Sequence, residues 1–234
     1  SPDNARVGKV LKLRKHRERR ATGLFIAEGP REVTRAAAAN LTLRQVYLCR
    51  ALVDKHAEGR AALEPVLAAL DDAVERFDVS EPVLVKMAYR QDPEGVLAVV
   101  EQPHWSWEDL PPVTDRTLYL VAVGTAKPGN LGAMVRTADA AGCEAVLAAG
   151  SSVDTFNPNA IRNSTGAVFS LPTISTDDQT AIAYLLSQRV RIVAATTVKG
   201  GTPHSRADLI GPLAVAIGPE DTGLPRAWLE AAEA

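Results

Sequence analysis

Two glycine-containing loops in the second half of the chain carry the residues best suited to chemistry. The first loop is KPGNLG at 127–132, which runs on to Arg136, and the second is IGPEDTG at 217–223. Each follows a short apolar run, at 118–123 and at 213–217, of the kind that forms a buried strand in a parallel sheet. Ligands bind at the carboxyl ends of such strands. The sequence therefore predicts that both loops lie at the binding edge of a sheet.

The common phosphate-binding motifs do not account for the first loop. Gly124 and Gly129 have the spacing of a Walker A motif, but Asn130 and Leu131 stand where that motif needs Lys and Ser or Thr. No GxGxxG fingerprint of a dinucleotide site follows the strand either. We therefore expect no nucleotide triphosphatase and no Rossmann cofactor site. A purely structural alternative is that Asn130 caps a helix that ends at Gly142.

Periodicity and proline content predict two α/β regions joined by a linker. Residues 4–101 alternate helical stretches with short strands, which predicts a compact α/β domain. Three prolines stiffen a linker at 102–115, in which Trp105 and Trp107 are expected to pack on a domain surface rather than stack on bases. Residues 116–234 alternate strands and helices in the manner of a parallel sheet. Its strands are predicted near 118–123, 144–148, 190–196 and 213–217.

Positive charge is concentrated near the amino terminus. The net charge of the chain is only −2, so composition alone does not point to nucleic acid. On a helix through this segment, Val10, Leu11 and Leu13 would pack inward and leave the basic side chains in solvent. A solvated surface is the ordinary interpretation of such a charged run, and contact with RNA phosphates is the alternative. The candidates for that contact are Arg14, Lys15, Arg17, Arg19 and Arg20.

Cysteine usage and hydropathy bear on the cellular setting. Cys49 and Cys143 lie in different predicted domains and have no CxxC spacing, so free thiols are favoured over a disulfide or a zinc site. Free thiols indicate a reducing cytoplasm. The sequence has no apolar run of transmembrane length and no signal-peptide pattern, so we expect no membrane association and no metal centre.

Three segments of the second region resemble a known enzyme family. They are NLGAMVRTAD at 130–139, RNSTGAVFSLP at 162–172 and IGPEDTGL at 217–224. In order and spacing they resemble the SpoU (TrmH-like) branch of the SPOUT superfamily, whose members methylate the 2′-hydroxyl of RNA riboses. The resemblance implies S-adenosylmethionine as cofactor, a homodimer, and a parallel sheet with a C-terminal trefoil knot.

The first region also resembles part of this family. GKVLKLRK at 8–15, LFIAEGPRE at 24–32 and EGVLAVV at 94–100 are similar to the small substrate-binding domain of the members that act on ribosomal RNA. Large-subunit ribosomal RNA is the substrate that this similarity favours. A transfer RNA substrate, a non-catalytic RNA-binding protein of the same fold, and an α/β enzyme acting on a phosphorylated small molecule remain alternatives.

The resemblance also implies roles for individual residues. Arg136 is the expected catalytic residue, and Asn130 would position it or the ribose. Glu220 would orient the guanidinium, with a plain salt bridge to Arg136 as the alternative. Arg162, Asn163 and Ser164 are expected to reach the RNA backbone or the dimer contact. The cofactor would be held by Thr196, Ile217, Gly218, Pro219, Glu220, Gly223 and Leu224.

The family has a third motif that the given sequence does not contain. An Ile-Pro-Met segment followed by Ser-Leu-Asn-Val-Ser is expected beyond a helix that begins at Pro225, with Trp228 and Leu229 facing the core. The chain ends at Ala234. We therefore expect the third motif, and much of the segment that would complete the knot, to lie beyond this residue.

Overall fold

The computed structural model describes residues 4–150, 153–197 and 201–232. The chain divides into two compact units. The first unit takes in the chain up to His104 together with Phe156–Ser170, and the second takes in Trp105–Thr155 and the chain from Leu171 onward.

The first unit is built on a mixed sheet with helices around it. Its strand order is β1-β4-β2-β3, in which β4 pairs antiparallel with β1 and β2, and β2 pairs parallel with β3. The strands are β1 (Leu24–Glu28), β2 (Leu43–Leu48), β3 (Glu75–Asp78) and β4 (Val96–Glu101). Helices before and between them are α1 (Ala5–Lys12), α2 (His16–Thr22), α3 (Pro30–Ala38), α4 (Arg50–Val53), α5 (Ala57–Ala69) and α6 (Glu81–Met87).

The basic amino-terminal segment forms two helices rather than the single helix predicted. Helix α1 ends at Lys12 and α2 begins at His16, so the chain turns between them. Val10 is buried as expected, whereas Leu11 remains half-exposed. Because the turn changes which side chains face the core, the periodicity of one helix does not describe the second half of this segment.

Arg19 is the main correction to the predicted charged surface. Its side chain is 1% exposed, and its Nη1 donates a hydrogen bond to the carbonyl oxygen of Leu13 at 2.7 Å. Arg19 thus joins α2 to the turn before it. The prediction that it contacts RNA was wrong in placing it in solvent.

This position gives a stability prediction. Arg19→Met should lower the free energy of unfolding by about 2 kcal/mol, since it leaves the buried carbonyl of Leu13 without its donor. Arg17→Met, at an exposed cation of the same helix, should change it by less than about 0.5 kcal/mol. Urea unfolding of both variants measures the difference. Equal stability of the two would contradict the structural role of Arg19.

The second unit is built on an entirely parallel sheet, as predicted. Its strand order is β7-β6-β5-β9-β8. The strands are β5 (Leu118–Val123), β6 (Ala145–Ala149), β7 (Thr173–Thr176), β8 (Arg191–Ala195) and β9 (Leu213–Ile217). Its helices are α7 (Pro128–Ala140), α9 (Asp178–Ser187) and α10 (Arg226–Ala231).

Helix α10 is anchored by a single tryptophan. Trp228 is fully buried, and its Nε1 donates to Asp178 Oδ1 at 3.0 Å, at the start of α9. Leu229, which was also predicted to face the core, is 37% exposed instead. Pro225 precedes the helix as its N-cap residue rather than forming its first turn.

The linker tryptophans pack on the second unit. Trp105 and Trp107 are partly buried against its core, and the Trp107 ring stacks on Tyr184 with a centroid separation of 4.2 Å. The predicted packing of both tryptophans on a domain surface is therefore confirmed. A 3-10 turn at Trp107–Asp109 is closed by Ser106 and Asp109, which form a capping box.

The segment between β6 and β7 packs with the first unit. It forms α8 (Pro158–Asn163) and the 3-10 turn Ala167–Phe169. The ring of Phe25 in β1 lies 4.9 Å from that of Phe156 and 5.3 Å from that of Phe169. This aromatic cluster explains why the segment belongs to the first unit although its neighbours in sequence are strands of the second.

Other features bear on the predicted cellular setting. Both cysteines are free thiols, Cys49 buried and Cys143 half-buried. Every helix within the described ranges is too short or too polar to traverse a lipid bilayer. In the same ranges, no three or more His, Cys, Asp or Glu side chains are grouped so that they could hold a metal ion.

Candidate active site

The two glycine loops open at the same edge of the parallel sheet. Strands β5 and β9 are hydrogen-bonded neighbours, with Ala122 opposite Ile217 at their carboxyl ends. Gly124, directly after β5, has φ +59°, and a β-carbon placed there would lie 3.2 Å from Pro219 Cγ. The loops are therefore close neighbours, which confirms the prediction that both lie at one edge of the sheet.

The connections that leave these two strands diverge. Helix α7, which follows β5, packs on β5 and β6, whereas α10, which follows β9, packs on β8 and α9. The connections after β5 and β9 thus run in opposite directions, away from a point between these two strands. Open α/β sheets bind ligands in the crevice that such a divergence creates.

The loop after β9 is a tight turn that depends on its glycines. A β-carbon at Gly218 would lie 2.5 Å from the carbonyl carbon of Gly223, closer than real contacts allow. The Gly223 amide donates to the carbonyl oxygen of Pro219 at 2.9 Å, and Gly223 itself has φ +68°. Because glycine accepts such a φ without strain, the turn can hold its backbone close to a ligand.

The residues predicted to hold the cofactor lie together at this edge. Ile217, Gly218 and Pro219 are half-buried, while Glu220 and Gly223 are exposed. Leu224 is buried beneath the loop, and Thr196 immediately follows β8, the neighbour of β9. An apolar wall beside an open glycine backbone suits a nucleoside-type ligand, whose flat base and ribose hydroxyls need close approach and hydrogen bonds to main chain.

Helix α7 places its two candidate polar residues in solvent. The helix begins at Pro128 with Lys127 as its N-cap, so Asn130 lies in the first turn and is not the cap. Proline at the first helical position explains the earlier start. Asn130 and Arg136 are both exposed, about 9 Å apart along the axis and about 120° apart around it. Within the described ranges, no ion pair joins Arg136 to Glu220.

The basic segment offers fewer phosphate contacts than predicted. Lys15, Arg17 and Arg20 are exposed. Arg14 is half-buried, and its Nη2 donates to the carbonyl oxygen of Lys86 at 3.0 Å and to that of Ala88. Together with the burial of Arg19, this leaves three of the five predicted cations free to face a polyanion.

The predicted RNA contacts at 162–164 also differ among themselves. Arg162 and Asn163 are exposed at the end of α8. Ser164 is fully buried, and its Oγ donates to the carbonyl oxygen of Ile161 at 2.9 Å. The prediction for Ser164 was wrong in placing it at the surface. Its hydroxyl is buried and hydrogen-bonded to a carbonyl group in the last turn of α8.

Comparison with known proteins agrees with this fold. The model of the SpoU rRNA Methylase family matches residues 117–234, and that of the MRM3-like substrate binding domain matches residues 4–98. The first match identifies the parallel sheet and its two glycine loops as a methyltransferase domain of the SpoU class. The chain belongs to the SpoU rRNA methylase family.

Curated relatives methylate ribosomal RNA. The chain is 27% identical over 230 residues to the 23S rRNA (guanosine(2553)-2′-O)-methyltransferase RlmP of Bacillus subtilis, covering 98% of this chain and 85% of RlmP. It is 28% identical over 160 residues to the 23S rRNA (uridine(2479)-2′-O)-methyltransferase of Streptomyces viridochromogenes, covering 66% of this chain and 55% of that enzyme.

Solved structures extend the similarity over the whole chain. An RNA 2′-O ribose methyltransferase superposes with a TM-score of 0.84 at 40% identity, covering 100% of this chain and 86% of the other. AviRb from Streptomyces viridochromogenes, solved in complex with AdoMet, superposes with a TM-score of 0.83 at 26% identity, covering 98% of this chain and 87% of the other.

Proposed function

We propose that this protein transfers a methyl group from S-adenosylmethionine to a ribose 2′-hydroxyl of large-subunit ribosomal RNA. Membership of the SpoU rRNA methylase family, with the glycine loops of β5 and β9 in contact at one sheet edge, carries this proposal. The names of the relatives support ribosomal RNA as the substrate, and the AdoMet complex of AviRb supports the cofactor.

The cofactor would be held by the loop after β9 and the end of β8. S-adenosylmethionine, when bound, supplies an electrophilic methyl group. Gly218 and Gly223 would let the main chain approach the ligand, Ile217 would provide an apolar side chain, and Thr196 would close the side toward β8. Leu224 would contribute its main chain, since its side chain is buried in the core. Glu220, exposed on the same loop, adds a carboxylate near the edge.

Arg136 would act by electrostatic stabilisation. A guanidinium keeps its proton in proteins, so this side chain is poorly suited to remove the proton of the 2′-hydroxyl. Its fixed positive charge can instead stabilise negative charge that develops on the ribose oxygen and grip the adjacent phosphate. Asn130 would position the ribose, and Glu220 would orient Arg136 when RNA is bound.

The first region would bind the RNA. We assign residues 4–101 to an RNA substrate-binding domain, 102–115 to a linker and 116–234 to the methyltransferase domain. The exposed cations Lys15, Arg17 and Arg20, with Arg162 and Asn163, are the proposed contacts to the RNA backbone. Family membership supports the further proposals of a homodimer, a cytoplasmic location and a knotted C-terminal segment.

Gly218 provides a test of the cofactor site. Gly218→Ala should weaken binding of S-adenosylmethionine at least tenfold, because the new methyl group would displace the backbone at Gly223. Gly8→Ala is the matched control, since a β-carbon there meets no atom within 4 Å. Isothermal titration calorimetry with the cofactor measures both. Binding by Gly218→Ala at the parent affinity would refute this placement of the site.

Activity is tested separately from binding. Purified protein should transfer labelled methyl groups from S-adenosylmethionine to large-subunit ribosomal RNA, and digestion should recover the label as 2′-O-methylribose. Transfer RNA serves as the competing substrate. Cofactor binding without transfer to any RNA would favour the non-catalytic alternative.

A further inference from the structure

A cleft in the first unit has features of a ligand site that the proposed reaction does not use. It lies between β1, the chain after α6 and α8. Its enclosed space is about 20 Å³, and the space that also counts its mouth, open to solvent, is about 390 Å³. The side chains that matter for its chemistry are Arg14, Ile26, Glu32, Tyr89, Ile161 and Arg162.

The inner part of the cleft holds a carboxylate that is only half satisfied. Glu32 is 1% exposed. Its Oε1 accepts a hydrogen bond from Arg31 Nη2 at 2.7 Å and forms an ion pair with Arg90 Nη2 at 3.0 Å. Its Oε2 is buried and accepts no hydrogen bond from any described residue. A buried acceptor without a partner costs about 1–3 kcal/mol, so a ligand that offers an N–H group there would recover that free energy.

A buried donor lies in the same cleft. Arg14 Nε is also buried without a hydrogen-bond acceptor among the described residues, although Nη2 of the same guanidinium is held by two carbonyl oxygens. The cleft thus offers a fixed donor and a fixed acceptor. A planar ligand with both N–H and acceptor atoms on its edges can satisfy the two together.

The walls and mouth of the cleft suit a base and its phosphate. Ile26 and Ile161 are buried apolar side chains, while the ring of Tyr89 is 46% exposed. Asn159 Nδ2 donates to the Tyr89 hydroxyl at 3.2 Å and fixes that side chain. Arg162 is exposed at the mouth. Counting Arg90 and Glu28, the lining carries three arginines and two glutamates, which gives a net charge of +1 to match one phosphodiester.

We propose that this cleft binds one unpaired guanine of the RNA. The base would lie against Tyr89 and the isoleucines, its N1–H and 2-amino group would donate to Glu32 Oε2, and a ring acceptor would meet Arg14 Nε. Arg162 would hold the neighbouring phosphate. Single-stranded RNA is generally recognised in this way, by aromatic stacking and by hydrogen bonds to base edges. The inference rests on the proposed RNA substrate, and its site lies wholly within the first unit.

The test compares two short single-stranded oligouridines, one with a central guanosine and one with an abasic residue in its place. Fluorescence anisotropy with the full chain should show tighter binding of the guanosine oligomer. Tyr89→Ala should weaken that binding about tenfold and leave the abasic oligomer unaffected, since only the stacking contact is lost. Tyr89→Phe keeps the ring and should bind like the parent. Thermal melting checks that each variant is folded.

The charge at the mouth gives a second comparison. Arg162→Ala should weaken both oligomers equally, because it removes a phosphate contact and no base contact. Arg50→Ala, at an exposed arginine outside the cleft, is the matched control and should change neither.

Three results would overturn the proposed base site. They are equal binding of the guanosine and abasic oligomers by the parent protein, equal weakening of both by Tyr89→Ala, and tighter binding of a third oligouridine that carries adenosine at the central position. Methyl transfer to ribosomal RNA is measured on the same parent protein. If the protein methylates ribosomal RNA but does not prefer the guanosine oligomer, the base site in the cleft is refuted and the proposed function is not. If the parent protein neither transfers methyl groups nor binds the cofactor, the proposed function is refuted.

Discussion

Replacing Arg136 with alanine should lower the single-turnover rate of methyl transfer about a hundredfold or more at saturating RNA and cofactor. The side chain is exposed on α7, the helix that begins at the sheet edge where both glycine loops lie. Negative charge develops on the ribose oxygen as the methyl group is transferred, and the alanine variant lacks the guanidinium that would stabilise it. Loss of one such contact lowers the rate about 10²–10³-fold. Cofactor affinity should change little.

The lysine variant separates charge from geometry. Arg136→Lys should recover little of the rate, because an ammonium cannot grip phosphate and ribose oxygen with a planar fork. Thr137→Ala, one position along the same helix and also exposed, is the matched control and should transfer methyl at the parent rate. If Arg136→Ala and Arg136→Lys both react at the parent rate once RNA is saturating, Arg136 is a binding or structural residue.

Neutralising the exposed cations of the basic segment should weaken RNA binding strongly and reduce its dependence on salt. Substituting Lys15, Arg17 and Arg20 with glutamine removes up to three phosphate contacts. For single-stranded RNA this should lower the slope of log affinity against log salt by up to about two units. Filter binding of ribosomal RNA over a range of potassium chloride measures the slope.

A control variant removes the same charge elsewhere on the first unit. Arg50, Lys55 and Arg60 are exposed and make only weak surface ion pairs. The variant with glutamine at these three positions should have a slope of log affinity against log salt closer to that of the parent than the Lys15, Arg17 and Arg20 variant has. Equal slopes for the parent and the Lys15, Arg17 and Arg20 variant would mean that these side chains are an ordinary solvated surface.

The second unit was largely predictable from its sequence. Fully buried parallel strands are nearly continuous apolar runs, and the run at 118–123 coincides with β5. The loops follow their strands directly, so their common edge followed from the rule for parallel sheets. The close approach of Gly124 and Pro219 could not be predicted, because it requires β5 and β9 to be neighbours in the sheet. The order of strands depends on packing between distant segments, which local sequence patterns do not indicate.

Burial of polar residues was the main source of error. Arg19 and Ser164 belong to residue types that are usually exposed, yet both are buried, and each donates a hydrogen bond to a main-chain carbonyl oxygen. Leu229 shows the converse, since it is an apolar residue that remains 37% exposed next to the fully buried Trp228. The carbonyl partners lie only a few residues away in the chain, but residue type alone does not indicate that a polar side chain will be buried against them.

The placement of residues 156–170 could not be predicted from sequence order. Hydrophobic periodicity identifies helices and strands but does not say which core they join. Phe156 and Phe169 pack on Phe25 of β1, more than a hundred residues earlier in the chain. The cleft at Glu32 depends on that packing, because Ile161 and Arg162 belong to the same segment.

Mapping of 2′-O-methyl groups in large-subunit ribosomal RNA is the most direct test of the central claim. RNA from the host strain lacking this gene should be missing one ribose methylation, and the purified protein with S-adenosylmethionine should restore it at the same nucleotide. Arg136→Ala should restore it far more slowly. An unchanged methylation map in the deletion strain, together with no transfer to its ribosomal RNA in vitro, would contradict the assignment of this protein as a ribosomal RNA 2′-O-methyltransferase.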